Sequence, residues 1–133
     1  MNYWLIKTEP DVWSWADQVD AKVTHWDGVR NYQASNNLKA MKVGDLAFFY
    51  HTGEERRIMG IVEIIKPYYP DPTDPTGRFG MVDVKAKTPF SHPVNLATIK
   101  KDPRFQHLGL VRQSRLSVMP IDEASWNILT YIG

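Results

Sequence analysis

The sequence predicts one α+β domain built on a small, strongly bent mixed sheet with short flanking helices. Its 133 residues suit a single domain and can bury a core without cross-links. Short runs of β-branched and aromatic residues alternate with short helical patterns along the chain. No internal repeat, low-complexity segment or linker divides it, so we expect residues 1–133 to form one domain.

The N-terminus predicts a strand followed by a short helix. Tyr3–Thr8 is β-branched and aromatic, and Pro10 ends the strand. Asp11 is a candidate N-cap for a helix that carries Trp13 and Trp15. Because residues two apart cannot share one helical face, we expect one of these tryptophans to pack on the sheet and the other to lie nearer its rim.

The middle of the chain predicts a helix and a β-hairpin. Asn31 is a candidate N-cap, and its helix has apolar residues at Ala34, Leu38 and Met41. Leu46–His51 and Ile58–Lys66 predict two strands joined by turn residues 53–57. Gly60, inside the second of these strands, indicates a bulge or a close approach of another group to the backbone.

The second half predicts turns, two strands and two helices. Proline and glycine mark Tyr68–Gly77 as turns, and alternation with a period of two predicts a strand over Met81–Lys87. A short helix is expected over Pro93–Lys100 and ends before Pro103. Three features complete the chain: a strand over Arg115–Met119, its end at Pro120, and a final helix capped by Asp122.

Several classes of function are excluded or disfavoured by what the sequence lacks. There is no cysteine, which excludes disulfides, thiolate catalysis and zinc–thiolate sites. The four histidines have no metal-ligand spacing, and no phosphate-binding glycine loop or serine nucleophile elbow is present. We therefore expect no metal, no cofactor and no enzyme. No apolar run approaches the roughly 18 residues of a membrane span and no signal peptide is evident, so we expect a cytoplasmic protein without a membrane partner.

The charge distribution is uneven although the net charge is only +1. Residues 84–118 carry seven lysines and arginines and one aspartate, a net charge of +6. Such a segment can form a phosphate-binding face or simply a solvated basic surface. The candidates for contacts with a nucleic-acid backbone are Lys85, Lys87, Lys100, Lys101, Arg104 and Arg112.

The stretch Trp26–Ala34 has the composition of a ligand site rather than of a core. It combines an indole, a turn glycine, a guanidinium, an amide and a phenol within nine residues. Trp26 either stacks on a planar ring, which contributes about 1–3 kcal/mol per base, or plugs the end of the sheet. Asn31 either caps a helix or hydrogen-bonds a base edge.

Three other positions offer groups that could bind a ligand. Lys7 and Thr8 end the first strand with polar side chains. Arg115 offers a planar donor fork between two serines, or is a surface cation. His51 is a candidate acid–base group, although its ordinary role is that of a polar residue at a strand end.

Five segments resemble those of a known family. They are Tyr3–Pro10, Trp26–Ala34, Met41–His51, Tyr69–Thr73 and Ser114–Val118, and they run in order along essentially the whole chain. On these segments the chain resembles the EVE domain. The resemblance implies a PUA-like pseudobarrel, similar to the YTH domain that holds a methylated adenine in an aromatic cage.

The resemblance also implies a function and a set of site residues. It implies a non-enzymatic reader of modified bases, with modified cytosine in DNA as the leading candidate and RNA as the less favoured partner. The base would be bound by Lys7, Thr8, Trp26, Arg30, Asn31, Tyr32, Tyr50, His51, Ser114, Arg115, Leu116 and Ser117, lining one mouth. No nuclease or helicase is fused to the 133 residues, so an effector is expected to be a separate protein.

Two alternatives remain open on the sequence. The first is an enzyme acting on a small ring-containing or anionic metabolite, with His51 as acid–base and Arg115 as anion clamp. The second is an RNA-binding adaptor.

Overall fold

A computed structural model describes all residues, 1–133, as six strands and five short α-helices around one sheet. In chain order the elements are β1 Tyr3–Thr8, α1 Trp15–Ala21, β2 Val23–Trp26, α2 Tyr32–Ala40, β3 Leu46–His51, β4 Arg57–Pro70, β5 Gly80–Asn95, α3 Leu96–Lys101, a 3-10 turn Pro103–Phe105, α4 Gly109–Arg112, β6 Val118–Ile121 and α5 Glu123–Ile132.

The sheet is mixed, with strand order β2-β5-β4-β3-β1-β6. β1 and β3 are parallel, and the other neighbouring pairs are antiparallel. The two longest strands, β4 and β5, shift register at four places along their pairing. Because each shift is a bulge or similar irregularity that increases the local twist, the long hairpin bends strongly. The predicted α+β class and bent mixed sheet are confirmed.

Phe48 and Phe49 in β3 show how the sheet divides the core. Neighbouring residues of a strand point to opposite faces. The Phe48 ring stacks on Trp126 of α5, with 3.9 Å between ring centroids. The Phe49 ring meets Trp15 and Trp26 edge-on, at 5.2 and 5.5 Å. One face of the sheet is therefore covered by α5, and the other carries α1 and the Trp26 side chain.

Gly60 in β4 has the close contact that the sequence predicts. A Cβ atom at this position would lie 2.6 Å from the Trp15 ring and 2.7 Å from the carbonyl oxygen of Thr88. The register of β4 against β5 also shifts beside it. Glycine is thus required so that the indole of α1 can lie directly on the strand.

Several predicted boundaries are confirmed and others are wrong. β1 and β3 have their predicted limits, and Asn31 and Asp122 cap α2 and α5 as expected. Asp11 does not cap α1. The cap is Ser14, whose hydroxyl accepts from the backbone N–H of Asp17 while the Asp17 carboxylate accepts from the N–H of Ser14. This reciprocal capping box satisfies two otherwise unpaired donors.

The second half of the chain departs further from prediction. β4 and β5 extend beyond their predicted ends, so that Tyr68 lies in a strand rather than in a turn. The helix expected from Pro93 begins at Leu96, because Asn95 is its N-cap. The last strand is Val118–Ile121 rather than Arg115–Met119. Pro120 lies within it, which is tolerated because β6 is an edge strand.

The strand β2 was not predicted. Its four residues pair with Val82–Lys85 of β5 and form the other edge of the sheet. No helix in the chain has the length and apolar character needed to cross a membrane.

Candidate functional site

A cavity of about 620 Å³ opens beside the end of β2. Its walls come from the end of β1, the turn before α1, the strand β2, the loop 27–31 and Ser117. Six of the predicted site residues line it: Lys7, Thr8, Trp26, Arg30, Asn31 and Ser117. The cavity therefore unites residues that are far apart in the chain.

Trp26 is both a core residue and a residue of the cavity wall. It is 7% exposed, and its ring packs edge-on against Phe49. It also lines the cavity. Its indole N–H has no hydrogen-bond partner in the chain, and no buried side-chain nitrogen is left unpaired, so this N–H is open to solvent. The side chain of Trp26 therefore packs in the core and also forms part of the cavity wall, and its role in ligand binding stays a prediction.

Trp13 is a second indole at the cavity. The hydroxyl of Thr8 donates to the Trp13 carbonyl oxygen at 2.9 Å and fixes the turn before α1. The Trp13 indole N–H donates at 2.9 Å to the side chain of Gln18, which is fully buried. The Gln18 amide donates in turn to the carbonyl of Lys22 at 2.9 Å. A buried hydrogen-bonded chain therefore orients the Trp13 ring.

The loop that follows Trp26 is held by the buried carboxylate of Asp71. One oxygen accepts from the backbone N–H of Gly28 at 2.9 Å and from the Arg30 guanidinium at 3.0 Å. The other oxygen accepts from the N–H and hydroxyl of Thr73. Gly28 has φ of 77°, a conformation that favours glycine. Asp71 thereby ties the cavity loop to the turn between β4 and β5.

The same contacts change the acidity of Asp71. Burial alone acts to raise its pKa, but the hydrogen bonds from Thr73, Gly28 and Arg30 outweigh burial and lower the pKa to about 2. The carboxylate is therefore charged at neutral pH and balances the Arg30 cation.

Asn31 is both a helix cap and a cavity residue. Its side-chain oxygen accepts from the backbone N–H of Ala34 at 2.9 Å. Its amide nitrogen has no partner in the chain, which leaves two donors beside the cavity. The two roles considered for Asn31 are compatible, because each uses a different end of the amide.

Lys7 joins β1 to the segment 114–117. Its backbone N–H donates to the Ser117 carbonyl at 2.9 Å, and its ammonium donates to the Ser114 carbonyl at 3.0 Å. Partial burial lowers the pKa of the lysine. The ammonium also lies 5.7 Å from the centre of the Tyr50 ring.

His25, Tyr69 and Asp83 form a polar cluster at the cavity wall. His25 lines the cavity, and its Nδ1 lies 2.7 Å from the Asp83 carboxylate, which makes Nδ1–H the donor. The Tyr69 hydroxyl donates to the same oxygen at 2.5 Å. Burial and this bond to Asp83 raise the pKa of Tyr69 to about 12. Nε2 of His25 is left free of partners in the chain.

Three predicted site residues lie in a separate groove. Ser114, Arg115 and Leu116 line a depression of about 330 Å³ together with Arg112 and Asn31. The single mouth expected from sequence is thus two adjacent depressions that share Asn31. Lys7 joins the two, because its backbone N–H donates to Ser117 at the cavity and its ammonium donates to Ser114 at the groove.

Tyr50 and His51 do not line either depression, contrary to expectation. Both are buried within the fold. Nε2 of His51 accepts from the backbone N–H of Trp15 at 2.9 Å, and Nδ1 lies 2.9 Å from the Glu55 carboxylate. Because both ring nitrogens are occupied, His51 anchors α1 to the hairpin rather than facing a ligand.

Tyr32 also lies outside the cavity. It is 61% exposed and packs against Phe79, with 5.0 Å between ring centroids. It directly follows the Asn31 cap as the first residue of α2, but unlike Asn31 it does not line the cavity.

The six cations predicted to contact phosphates are spread over several elements. Lys85 and Lys87 lie on β5, and Lys100 and Lys101 end α3. Lys87 is 3.6 Å from Glu63, and Arg104 forms a two-pronged pair with Asp102. Arg112 alone lines the groove beside the cavity. Their role in phosphate binding remains a prediction.

Trp13, His25 and Asp71 belong to the site but were not predicted as site residues. The run Val23–Trp26 is β-branched and aromatic, which is a strand signal that would have drawn attention to His25. Asp71 follows a proline in a turn-rich segment, and only the fold shows that its carboxylate reaches the cavity loop.

Comparison with known proteins identifies the family of this chain. The sequence profile of the EVE domain matches residues 2–132. The chain belongs to the EVE domain family. Human thymocyte nuclear protein 1 is 32% identical over 162 aligned residues, which cover 96% of this chain and 72% of the human protein.

Solved structures of EVE relatives superpose closely. A Rhodopseudomonas palustris protein solved by NMR is 47% identical with a TM-score of 0.93, and the match covers all of this chain and 93% of that one. The human thymocyte nuclear protein, crystallised in complex with DNA containing 5-methylcytosine, is 32% identical with a TM-score of 0.93. That match covers 99% of this chain and 97% of the human one. The predicted PUA-like fold is confirmed.

Proposed function

We propose that this EVE domain is a non-enzymatic DNA-binding module that holds a modified base, a cytosine derivative, in the 620 Å³ cavity. The observation that carries the proposal is that two indoles, Trp13 and Trp26, line one cavity together with polar groups that have no hydrogen-bond partner in the chain. The human relative crystallised with DNA containing 5-methylcytosine supports DNA and this class of base.

The indoles supply surface for a planar ring. Pockets of roughly 300–1,000 Å³ suit small ligands, so the cavity has room for a nucleobase and its modification. A base inside a duplex cannot reach such a cavity, so the base is unstacked and turned outward, or enters from a single strand.

Polar groups around the indoles can recognise the edge of the ring. The Asn31 amide, the Lys7 ammonium and the Trp26 indole N–H are donors that face the cavity or its rim. The hydroxyls of Thr24 and Ser117 and Nε2 of His25 offer acceptors. Cytosine presents both donors and acceptors at its edge, which this mixture matches.

Cations beside the cavity can bind the backbone of the same strand. Arg115 and Arg112 line the groove that Asn31 shares with the cavity. Phosphate contacts there would position the strand while the cavity specifies the base.

The enzymatic alternative rests on His51 and Arg115, and these two residues do not line one cavity. His51 is 4% exposed with both ring nitrogens occupied, and Arg115 lies in the adjacent groove. The RNA-binding alternative differs from the proposal in the type of nucleic acid bound, so an RNA oligonucleotide is included in the test.

The experiment is equilibrium binding of oligonucleotides that differ only at one cytosine. We expect Trp13→Ala to weaken binding of the 5-methylcytosine DNA about fivefold or more, because one stacked ring is worth about 1–3 kcal/mol. Trp26→Phe should weaken it less while keeping the core contact with Phe49. Trp26→Ala is unsuitable because emptying a core position typically costs about 3–5 kcal/mol of stability.

Tyr131→Ala is the matched control, since this aromatic residue is 89% exposed on α5. It should bind like the wild type. If Trp13→Ala is folded and binds the 5-methylcytosine DNA as tightly as the wild type, the proposal that the cavity holds the base is wrong. Tighter binding of the RNA oligonucleotide than of the DNA would favour the adaptor.

A further inference from the structure

Tyr32 is an exposed aromatic residue that the cavity does not use. It is 61% exposed, and its hydroxyl has no hydrogen-bond partner in the chain. Its one aromatic contact is with Phe79, at 5.0 Å and an interplanar angle of 38°. An aromatic ring in this position buries little surface in the fold, so its free area is available to a partner.

Hydrogen bonds fix the backbone of Phe79, whose ring contacts Tyr32. The Phe79 N–H donates to the Asp74 carboxylate at 2.8 Å, and the Phe79 carbonyl accepts from the N–H of Asp71 at 3.2 Å. Asp74 also accepts from Arg78 and from Thr76, and these bonds lower its pKa to about 2. The ring pair therefore rests on a turn that is ordered before any ligand arrives.

The ring pair adjoins the cavity directly. Arg30 lines the cavity, and its guanidinium lies 5.8 Å from the centre of the Phe79 ring. Asn31, the residue before Tyr32, lines the cavity as well. The ring pair is thus close enough to the cavity for a nucleotide next to the bound base to reach it.

We propose that Tyr32 and Phe79 form a stacking platform for the nucleobase next to the one in the cavity. The inference rests on the proposed function, because it needs a strand at the cavity. The platform offers the open aromatic face of Tyr32, and stacking on such a face does not depend on which base is present. It would therefore contribute affinity for any neighbouring base and leave the selectivity for the modification to the cavity.

The test compares an oligonucleotide with a free nucleoside. Tyr32→Ala should weaken binding of a 5-methylcytosine oligonucleotide roughly 5- to 100-fold, the range expected for one stacked base. Its affinity for 5-methyldeoxycytidine alone should be unchanged, because the nucleoside occupies only the cavity. Tyr32→Phe should bind like the wild type, and Tyr131→Ala, which is 89% exposed on α5, is the control.

A second readout locates the neighbouring base. With 2-aminopurine next to the modified cytosine, stacking on the platform should quench its fluorescence in the wild type and not in Tyr32→Ala. The melting midpoint of Tyr32→Ala should stay within about 2 °C of the wild type, as for other surface changes.

The outcomes separate this inference from the proposed function. If Tyr32→Ala binds the oligonucleotide like the wild type while the preference for 5-methylcytosine persists, the platform is overturned and the proposed function stands. If Tyr32→Ala loses affinity but the wild type shows no preference for the modified base, the platform stands and the base reading fails. If the wild type binds no oligonucleotide, both are overturned.

Discussion

At the scale of single residues, Asp71 shows how one buried carboxylate shapes the site. It accepts hydrogen bonds from Gly28, Arg30 and Thr73, and so joins the cavity loop to the turn that carries Phe79. The sequence placed this aspartate in a turn, which is correct, but turn chemistry is local and does not show a partner 43 residues away in the chain.

The stability of Asp71→Asn relative to the wild type should depend on pH, because the substitution removes the carboxylate charge at residue 71. The pKa of Asp71 is about 2 in the fold against an ordinary value of 3.8, so its charged form stabilises the fold above about pH 4. That contribution is lost as the pH falls towards 2. We expect Asp71→Asn to be less stable than wild type by about 1–3 kcal/mol at pH 7.

Chemical denaturation at a series of pH values provides the measurement. The stability difference between Asp71→Asn and wild type should shrink as the pH falls from 4 to 2. Asp11→Asn, at an exposed position, is the control and should stay close to the wild type. A difference that stays constant from pH 7 to pH 2 would contradict the assigned role of the Asp71 charge.

The burial of Tyr50 and His51 at the end of β3 was not predictable from the sequence. Tyr50 and His51 are polar residues at a strand end, which is where ligands often bind. Both are buried, and His51 is held by α1, whose first backbone N–H donates to its ring. That contact joins residues 36 apart in the chain, and no local pattern indicates it.

At the scale of secondary-structure elements, the start of α2 combines a helix cap with a part of the cavity wall. Asn31 caps this helix with its side-chain oxygen and presents its amide nitrogen at the cavity. Aspartate caps helices as well as asparagine does, so Asn31→Asp should keep the melting midpoint of the wild type. It should lower affinity for the modified oligonucleotide roughly tenfold, because it removes the amide donors.

Asn95→Asp is a closely matched control for this change. Asn95 caps α3 in the same way, accepting from the backbone N–H of Thr98 at 2.8 Å, and does not line the cavity. Thermal melting and binding of both variants should separate the two roles. If Asn31→Asp and Asn95→Asp lower affinity equally, the effect is general charge repulsion, and Asn31 does not read the base.

The elements that the sequence predicts well are those with strong local signals. β1 and β3 are apolar runs with clear ends, and α2 and α5 begin at good caps. β2 is only four residues long and is stabilised by its pairing with β5, so its local signal is weak. Pro120 suggested a strand end because its tolerance depends on β6 being an edge, which is a property of the whole sheet.

At the scale of the whole molecule, the net charge of +1 predicts only weak long-range attraction to a nucleic acid. The cations predicted to bind phosphates are dispersed, and Lys87 and Arg104 are already paired with carboxylates. The family and fold were predictable because long motifs run through the chain. The division of the candidate site into a cavity, a groove and an exposed ring pair was not predictable, because it depends on tertiary contacts.

The most direct test of base reading is the affinity of the wild-type chain for two DNA oligonucleotides that are identical except for one 5-methylcytosine, measured at several salt concentrations. Phosphate contacts release counterions, so both affinities should fall as salt rises. Cavity contacts are local, so the preference for the modified strand should persist at every salt concentration. Equal affinity for the two strands at every salt concentration would contradict the proposal that this EVE domain reads a modified base.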